Sequence, residues 1–184
     1  MERKIKILGI VGSLRLDSFN KALMNYAKSA VPKDAELDIA DISKIPLFNQ
    51  DLEHQVPDSV TEFKAKIKNS DAILFATPEY NYSVPGVLKN AIDWASRPYG
   101  DNSFDGKVAG IISASGSMLG GSRAQYHLRQ IFVFLNIHAV NRPEVMIPFV
   151  NEKIDENGNI TDEKVKKKIE ELLEVLIKTA KKQI

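Results

Sequence analysis

The amino-acid sequence predicts an α/β fold in which a parallel sheet lies between two layers of helices. The main observation is an alternation along the chain: apolar runs typical of strands are followed, five times, by segments with apolar residues at helical spacing. Strands that are joined through helices pair in parallel through right-handed crossovers. The second observation is size, because 184 residues can build one domain with a substantial core but not two ordinary ones. We therefore expect residues 1–184 to form a single three-layer α/β/α domain.

The predicted strands are short and mostly apolar. Continuous apolar runs are typical of parallel strands that are covered on both faces, and residues 71–78 (DAILFATP) form the most convincing central strand. Residues 36–42 (ELDIADI) instead alternate between apolar and polar, which predicts a half-exposed strand at an edge of the sheet. The full set of predicted strands is 5–11, 36–42, 71–78, 107–115 and a short one near 138–147.

Apolar stripes at spacings of three and four residues predict the helices between these strands. The last helix, about 161–182, follows a polar turn at 155–159 and places its lysines and glutamates in solvent. Trp94 lies in the third helix, where we expect it to pack in the core or at a subunit contact. The other stripes contain Leu23, Ala27 and Ala30; Val60, Phe63 and Ile67; Leu88, Ile92 and Ala95; and Leu128, Ile131 and Leu135.

Composition and charge exclude several classes of protein. The net charge of +1 argues against a general nucleic-acid-binding protein, which needs many cations to neutralise phosphates. The sequence contains no cysteine, which excludes disulfides, thiol catalysis and thiolate metal sites. Its three histidines have no metal-ligand spacing, and no Gly-x-Ser-x-Gly motif accompanies them. No signal peptide and no apolar stretch of the ~20 residues needed to span a bilayer are recognisable, so we expect a cytoplasmic protein that binds neither nucleic acid nor membrane.

Three polar turns follow the carboxyl ends of predicted strands, where open α/β sheets bind their ligands. The first turn carries hydroxyl, guanidinium and amide donors at the start of a helix: Ser13, Arg15, Ser18 and Asn20. The unpaired N–H groups and the positive dipole end of a helix N-terminus favour a phosphate. The turn lacks the lysine of a Gly-x-x-x-x-Gly-Lys-Ser/Thr loop and the spacing of Gly-x-Gly-x-x-Gly, so a single phosphate monoester fits best.

A simpler interpretation of the first turn remains open. Ser18 can merely cap the helix with its side chain, and Asn20 can be an ordinary surface residue. Asp17 has the wrong charge for a neighbour of a phosphate, so it must point to solvent if an anion binds here.

The second turn, residues 78–86, contains a segment bounded by two prolines that carries Glu79, Tyr80 and Asn81. Because the prolines stiffen it, its backbone can present a fixed hydrogen-bonding edge to a planar ring. Tyr80 adds a ring surface for stacking. The alternative is a rigid loop with two partly buried tyrosines.

The third turn, residues 115–121, is rich in glycine and serine. Gly116 and its neighbours permit close backbone approach, and Ser115 supplies a donor. Alone, such a turn is an ordinary connector. Three polar turns at one edge of a sheet favour a ligand site that all three share.

The motifs in these turns resemble those of the NADPH-dependent FMN reductase family, and within it the flavodoxin-like quinone, chromate and azo-dye reductases. The matching segments are GSLRxxSxN after the first strand, PEYNxSxPGxLKNAIDW after the third and SGSxxxGG after the fourth. The similarity runs from the first strand to about Pro148, and the second motif is highly specific. It implies a five-stranded flavodoxin-like sheet with strand order 2-1-3-4-5 that holds FMN without a covalent bond.

The resemblance also implies roles for individual residues. The first turn would bind the FMN phosphate, the second would hold the isoalloxazine edge largely through main-chain groups, and the third would line the other side of the flavin. Relatives of this type are dimers, often paired into tetramers through the equivalents of Arg123, Tyr126 and Glu144, so we expect a homodimer and, from it, a homotetramer. The cofactor-binding residues implied in this way are Ser13, Arg15, Ser18, Phe19 and Asn20; Pro78, Glu79, Tyr80 and Asn81; and Ser115 and Gly116.

The implied activity is that of an oxidoreductase in which NADPH or NADH passes a hydride to N5 of FMN. A small-molecule acceptor such as a quinone, chromate, an azo dye or free flavin is then reduced. FMN carries this chemistry, so no side chain has to act as an acid or a base. Two other classes stay open: an FMN-binding electron-transfer or sensing protein that does not use nicotinamide, and a flavin-free module that binds another phosphorylated ligand at the first turn. The near-neutral charge disfavours the strongly acidic docking surface of a flavodoxin.

Overall fold

The structure, a computed structural model, describes residues 3–183, which contain six strands and five α-helices. The strands are β1 (Ile5–Val11), β2 (Ala35–Ala40), β3 (Ala72–Thr77), β4 (Val108–Ala114), β5 (His138–Ala139) and β6 (Val145–Ile147). The helices are α1 (Phe19–Ala30), α2 (Asp58–Lys68), α3 (Gly86–Ala95), α4 (Ser122–Leu135) and α5 (Glu163–Lys181). Every predicted helix and the first four predicted strands are confirmed, with small shifts at their ends.

The strands form one parallel sheet in the order β2-β1-β3-β4-β5, with β6 also paired to β4. β1 lies between β2 and β3, so Gly9 faces Ile39 on one side and Leu74 on the other. This confirms the strand order that the family resemblance implies. β2 is an edge strand with alternating exposure, as its alternating sequence predicts.

The prediction of a single short strand near 138–147 is wrong. Two pieces, β5 and β6, pair with different parts of β4, at Val108 and Ala109 and at Ile112 to Ala114. Pro143 lies between the two pieces and has no N–H to give to a ladder of hydrogen bonds. The last position of the sheet is therefore shared by two short strands.

Apolar side chains pack on both faces of the sheet. α1 and α5 cover one face with residues such as Leu23 and Leu172, and α2, α3 and α4 cover the other with residues such as Phe63 and Leu88. All six residues of β3 are buried because this strand lies in the middle of the sheet. Burial of one Leu or Phe side chain contributes roughly 1.5–3 kcal/mol, so these two layers hold the strands in place.

Trp94 belongs to the core and is 1 % exposed. Its indole N–H donates to the Pro46 carbonyl at 2.8 Å, and its ring meets the Phe48 ring edge-on at a centroid distance of 5.0 Å. Of the two roles predicted for Trp94, core packing is the one that the structure shows.

α5 is amphipathic along its 19 residues. Its buried side chains include Ile169 and Leu176, and its lysines and glutamates lie mostly toward solvent, as predicted. Within residues 3–183, no helix combines the length and the apolar composition needed to cross a bilayer.

β1, β3 and β4 are neighbours in the sheet and end at Val11, Thr77 and Ala114. The three polar turns follow these residues directly. The fold therefore brings all three turns to one edge of the sheet, as the sequence predicts.

Candidate functional site

α1 begins at Phe19, and its N-terminus has no side-chain cap. Ser18 occupies the N-cap position with extended backbone, but its hydroxyl makes no capping hydrogen bond, and the first turn of the helix contains no acidic residue. Within the described residues, the N–H groups of residues 19–21 have no acceptor. The interpretation of Ser18 as a capping residue is therefore wrong, and the helix keeps these donors for an anion.

Arg15 is the cation of the first turn, and it is exposed. Its backbone N–H donates to the Ser13 hydroxyl at 3.3 Å, and its guanidinium carbon lies 5.2 Å from the centre of the Phe19 ring. In the part of the chain that the structure describes, the guanidinium has neither an ion-pair nor a hydrogen-bond partner. Asp17 is exposed to solvent, as an anion site here requires.

Asn20 is 2 % exposed, so the interpretation of this residue as an ordinary surface residue is wrong. Its Nδ2 donates to the Ala114 carbonyl at 3.1 Å, and its Oδ1 accepts from the Ala114 N–H at 2.9 Å. These two bonds tie the start of α1 to the end of β4, beside the third turn. The side chain keeps one N–H for a ligand, and contact with a phosphate stays a prediction.

The second turn folds back on itself. The backbones of Tyr80 and Ser83 exchange two hydrogen bonds of 3.0 Å, and the residues between them, Asn81 (φ 50°) and Tyr82 (φ 67°), are left-handed. Positive φ at both central positions is the pattern of a type I′ turn. Tyr80 and Tyr82 are 50 % and 67 % exposed, so this rigid turn presents its aromatic rings to solvent.

Glu79 uses its side chain within the protein. Its Oε1 accepts from Nε of Arg123 at 2.5 Å, and its Oε2 accepts from the Arg123 backbone N–H at 3.1 Å. Beside it, the Pro78 carbonyl accepts from the Thr77 hydroxyl at 2.9 Å. The carboxylate of Glu79 is thus engaged with Arg123, and its main-chain groups remain for a ligand. Sequence reasoning does not find the pair with Arg123, because Glu79 lies in the second turn and Arg123 lies 44 positions further along, in α4.

The third turn is held down onto the sheet. The Ser115 N–H donates to the Ile147 carbonyl at 3.1 Å, and the Ser115 hydroxyl lies 2.9 Å from that of Ser117. Gly116 is exposed, and its N–H has no acceptor within residues 3–183. A Cβ at Gly120, where φ is +58°, would lie 2.8 Å from the Ile147 nitrogen, so this position requires glycine.

Gln125 supports the third turn and is the residue that sequence reasoning misses. It is fully buried, and its Nε2 donates to the Ser113 hydroxyl at 2.8 Å and to the Val145 carbonyl at 2.9 Å. Ser113 in turn donates to the Gly120 carbonyl at 2.6 Å. The one signal for Gln125 is a polar residue within the apolar stripe of α4, three positions before Leu128.

Two surface clefts flank the first turn, one of about 350 Å³ toward the loop that follows β2 and one of about 400 Å³ toward residues 154–158. Hydrogen bonds from the Ser43 side chain and backbone lower the pKa of Asp41 in the first cleft. Those from the Asn159 backbone and side chain lower the pKa of Asp155 in the second. Each cleft therefore contains a carboxylate that stays ionised.

The three turns line one edge of the sheet, and neither of these clefts extends to the second or the third turn. At one end of this edge lie an unpaired cation and unpaired N–H groups, and at the other lie aromatic rings and further free N–H groups. Such an arrangement can hold a phosphate and a planar ring joined by a flexible chain. No cluster of residues in the range 3–183 has the geometry of a metal site. Large apolar side chains are exposed around the edge: Leu14, Tyr80, Tyr82, Met118 and Phe149.

The family resemblance places three residues in contacts between dimers, and all three also contact residues of their own chain. The Tyr126 hydroxyl donates to Oε1 of Glu144 at 3.3 Å, and Arg123 pairs with Glu79. Tyr126 and Glu144 are both exposed. Contact of these residues with a second copy of the chain stays a prediction.

The sequence and the fold are similar to those of known flavoenzymes. The model of the NADPH-dependent FMN reductase family matches residues 5–152. The chain is 49 % identical over 177 residues to the NAD(P)H-dependent FMN reductase of Pseudomonas aeruginosa, and the aligned region covers 96 % of this chain and 95 % of that protein. It is 46 % identical over 177 residues to the NAD(P)H:quinone oxidoreductase of Solanum tuberosum, with coverage of 92 % and 89 %. The structure of FerB, a flavoenzyme NAD(P)H:(acceptor) oxidoreductase from Paracoccus denitrificans, matches with a TM-score of 0.90 and 37 % identity over 97 % of this chain and 98 % of that one.

Proposed function

The chain belongs to the NADPH-dependent FMN reductase family, and from that premise we propose that the N-terminus of α1 holds the phosphate of FMN. The observation that carries this proposal is a set of donors that have no acceptor within residues 3–183: the Ser18 hydroxyl, the Arg15 guanidinium and the first N–H groups of α1. Their charge and hydrogen-bonding capacity match a phosphate monoester. Ser13 bonds the Arg15 backbone, Phe19 packs near the guanidinium, and Asn20 fixes the start of the helix.

The second and third turns supply the other end of the site, where the isoalloxazine ring lies between them. The N–H groups of Asn81 and Gly116, which have no acceptor in the described part of the chain, suit the carbonyl and nitrogen acceptors of the ring. The main-chain groups assigned to the ring are those of Pro78, Glu79, Tyr80 and Asn81 on one side and Ser115 and Gly116 on the other.

The protein is an NAD(P)H-dependent oxidoreductase of the FMN reductase and quinone reductase type. When bound, FMN supplies the centre that accepts a hydride from the nicotinamide and delivers it to an acceptor. The residues of the chain anchor the phosphate, orient the ring and offer the exposed Tyr80 ring as a flat surface beside it. A quinone is the acceptor that we assign, since similar proteins include the quinone oxidoreductase of Solanum tuberosum and a 2-hydroxy-1,4-benzoquinone reductase from Burkholderia. Chromate, azo dyes and free flavin are alternative acceptors for the same assay.

A second copy of the chain covers the open edge of the site. The apolar side chains exposed around this edge favour such a dimer, because exposed apolar patches mark interaction surfaces. Two dimers joined through Arg123, Tyr126 and Glu144 would form the tetramer. The cytoplasm, which holds nicotinamide dinucleotides, is the location that fits this activity.

The test starts from the visible absorption spectrum of the purified protein and the identity of the released cofactor. Anaerobic addition of NADPH or, separately, NADH should bleach the flavin bands, and a benzoquinone should restore them. Protein that carries FMN but is bleached by neither dinucleotide would be an electron-transfer or sensing protein instead. Colourless protein that takes up no added FMN would overturn the proposal altogether.

A further inference from the structure

The second turn has a strained backbone. A type I′ turn prefers Asn-Gly at its two central positions, because both residues have positive φ. Asn81 tolerates this conformation, but Tyr82, with φ 67°, places its Cβ where it crowds the backbone. Strain of this kind persists only where the surrounding structure over-determines it.

One face of α4 provides that surrounding structure. Arg123 and His127 are four positions apart, which puts them on the same face of the helix. The Arg123 guanidinium carbon lies 3.5 Å from the centre of the Tyr82 ring, and Nδ1 of His127 lies 2.9 Å from the Ser83 hydroxyl. The helix therefore contacts both the strained residue and the residue that follows it.

Glu79 fixes the guanidinium from the other end of the turn. Its carboxylate accepts from both Nε and the backbone N–H of Arg123. The Glu79 side chain is 8 % exposed and that of Arg123 is 37 % exposed, so the carboxylate half of the pair is shielded from water. A planar guanidinium can bind a carboxylate with its edge and stack its face on an aromatic ring, whereas an ammonium has no plane to stack and no fork to match the carboxylate.

We propose that Arg123 is a positioning residue of the flavin site. By holding Tyr82 in the left-handed conformation, it sets the shape of the turn whose main chain contacts the isoalloxazine ring. This inference rests on the proposed function. Arg123 contacts Glu79 and Tyr82, so its effect reaches the ring through the backbone of residues 79–81. The first turn is not affected.

The first test compares two substitutions of Arg123 in FMN titrations of the FMN-free protein. Arg123→Met removes the guanidinium, and Arg123→Lys keeps the charge but removes the plane. We expect each to raise the Kd for FMN about tenfold, to raise that for riboflavin, which lacks the phosphate, by a similar factor, and to shift the visible bands of the bound flavin. An Arg123→Lys protein with the affinity and spectrum of the wild type would show that charge alone matters, and would overturn the proposal.

The second test addresses the strain at Tyr82. Tyr82→Ala removes the ring but keeps the cost of positive φ, whereas Tyr82→Gly removes both and creates the preferred Asn-Gly pair. We expect Tyr82→Gly to bind FMN within about twofold of the wild type and Tyr82→Ala to bind it about fivefold more weakly. Arg123→Met added to Tyr82→Gly should then change the Kd by no more than about twofold. Equal affinities of the two Tyr82 variants, or a full loss in the double variant, would contradict the inference.

Sedimentation velocity on every variant separates this effect from subunit assembly. Arg123 also belongs to the proposed contact between dimers, so Glu144→Gln, which alters the same contact at another residue, is the control and should keep the wild-type Kd and spectrum whatever its oligomeric state. A loss of affinity in Glu144→Gln equal to that in Arg123→Met would place the effect at the subunit boundary and would also overturn the inference. Failure of the wild-type protein to bind FMN would instead refute the proposed function, so the two failures are distinguishable.

Discussion

An arginine serves each of the first two turns, and the two arginines are used in opposite ways. Arg15 is exposed, and its guanidinium contacts the Phe19 ring but no anion within residues 3–183. Arg123, which reaches the second turn from α4, is bound on two sides, by the Glu79 carboxylate and by the Tyr82 ring. One guanidinium still lacks an anionic partner, and the other already has one.

We therefore expect Arg15 to act as a group that binds the ligand, and Arg123 as a group that supports the structure of the second turn. An unpaired cation beside an uncapped helix gains a strong partner only when an anion binds, so its contribution appears in ligand affinity. A cation paired with a shielded carboxylate already contributes to the folded chain. Substitutions in the first turn should therefore change FMN affinity, and substitutions at the support of the second turn should also change the stability of the FMN-free protein.

The largest loss of stability is expected at Asn20, which joins the first turn to the third. This residue both supports the fold and belongs to the proposed binding site. Asn20→Ala leaves the buried N–H and carbonyl of Ala114 without their partners, and should lower the free energy of unfolding of the FMN-free protein by about 2–4 kcal/mol. Denaturant titration measures this loss. The exposed Asn25 of the same helix provides the control, Asn25→Ala. A loss at Asn20 no larger than the loss at Asn25 would refute the structural role of the amide.

Arg15→Ala should weaken FMN binding by about 1.5–3 kcal/mol, the usual contribution of a hydrogen bond to a charged group. Fluorescence titration of the FMN-free protein gives the Kd. Lys28→Ala removes an equal charge from the last turn of α1 and should leave the Kd unchanged. Because Arg15 has no anionic partner in the described chain, the free energy of unfolding without FMN should also stay the same. Unaltered FMN affinity in Arg15→Ala would rule out its assignment to the phosphate.

Glu79→Gln tests whether the pair between Glu79 and Arg123 stabilises the FMN-free protein. It keeps the shape of the side chain but removes the charge that faces Arg123, and should lower the free energy of unfolding of the FMN-free protein by about 1–2 kcal/mol. Glu62→Gln, an exposed position on α2, is the matched control. If both variants unfold at the same denaturant concentration, the pair does not act as a scaffold.

Ser18→Ala should have the smallest effect, a loss of about 1 kcal/mol in FMN affinity. Its hydroxyl makes no capping bond, so the FMN-free protein should keep its stability within about 0.5 kcal/mol. Calorimetry with and without FMN measures both quantities. A clear drop in stability without FMN would show that Ser18 caps α1 in solution.

The fold could be predicted because its signals are local. A continuous apolar run such as β3 and the stripes of the helices each reveal burial within a few positions, and the three turns follow from where the strands end. The resemblance to a known family added the strand order and the candidate residues. The contacts that support the site were not predictable, since Asn20 pairs with Ala114 across 94 positions and Glu79 pairs with Arg123 across 44. Such pairs depend on which strands become neighbours, which no short pattern records.

The last position of the sheet, which β5 and β6 share, limits how copies of the chain can associate. β5 and β6 are two and three residues long, with Pro143 between them, so this border of the sheet offers no continuous row of N–H and carbonyl groups to a strand of another molecule. At the opposite border, β2 exposes Glu36 and Asp38, and charged side chains on an edge strand oppose the addition of another strand. Growth into a fibre by strand addition is thereby opposed at both ends of the sheet, and association is left to the side chains of helices and turns.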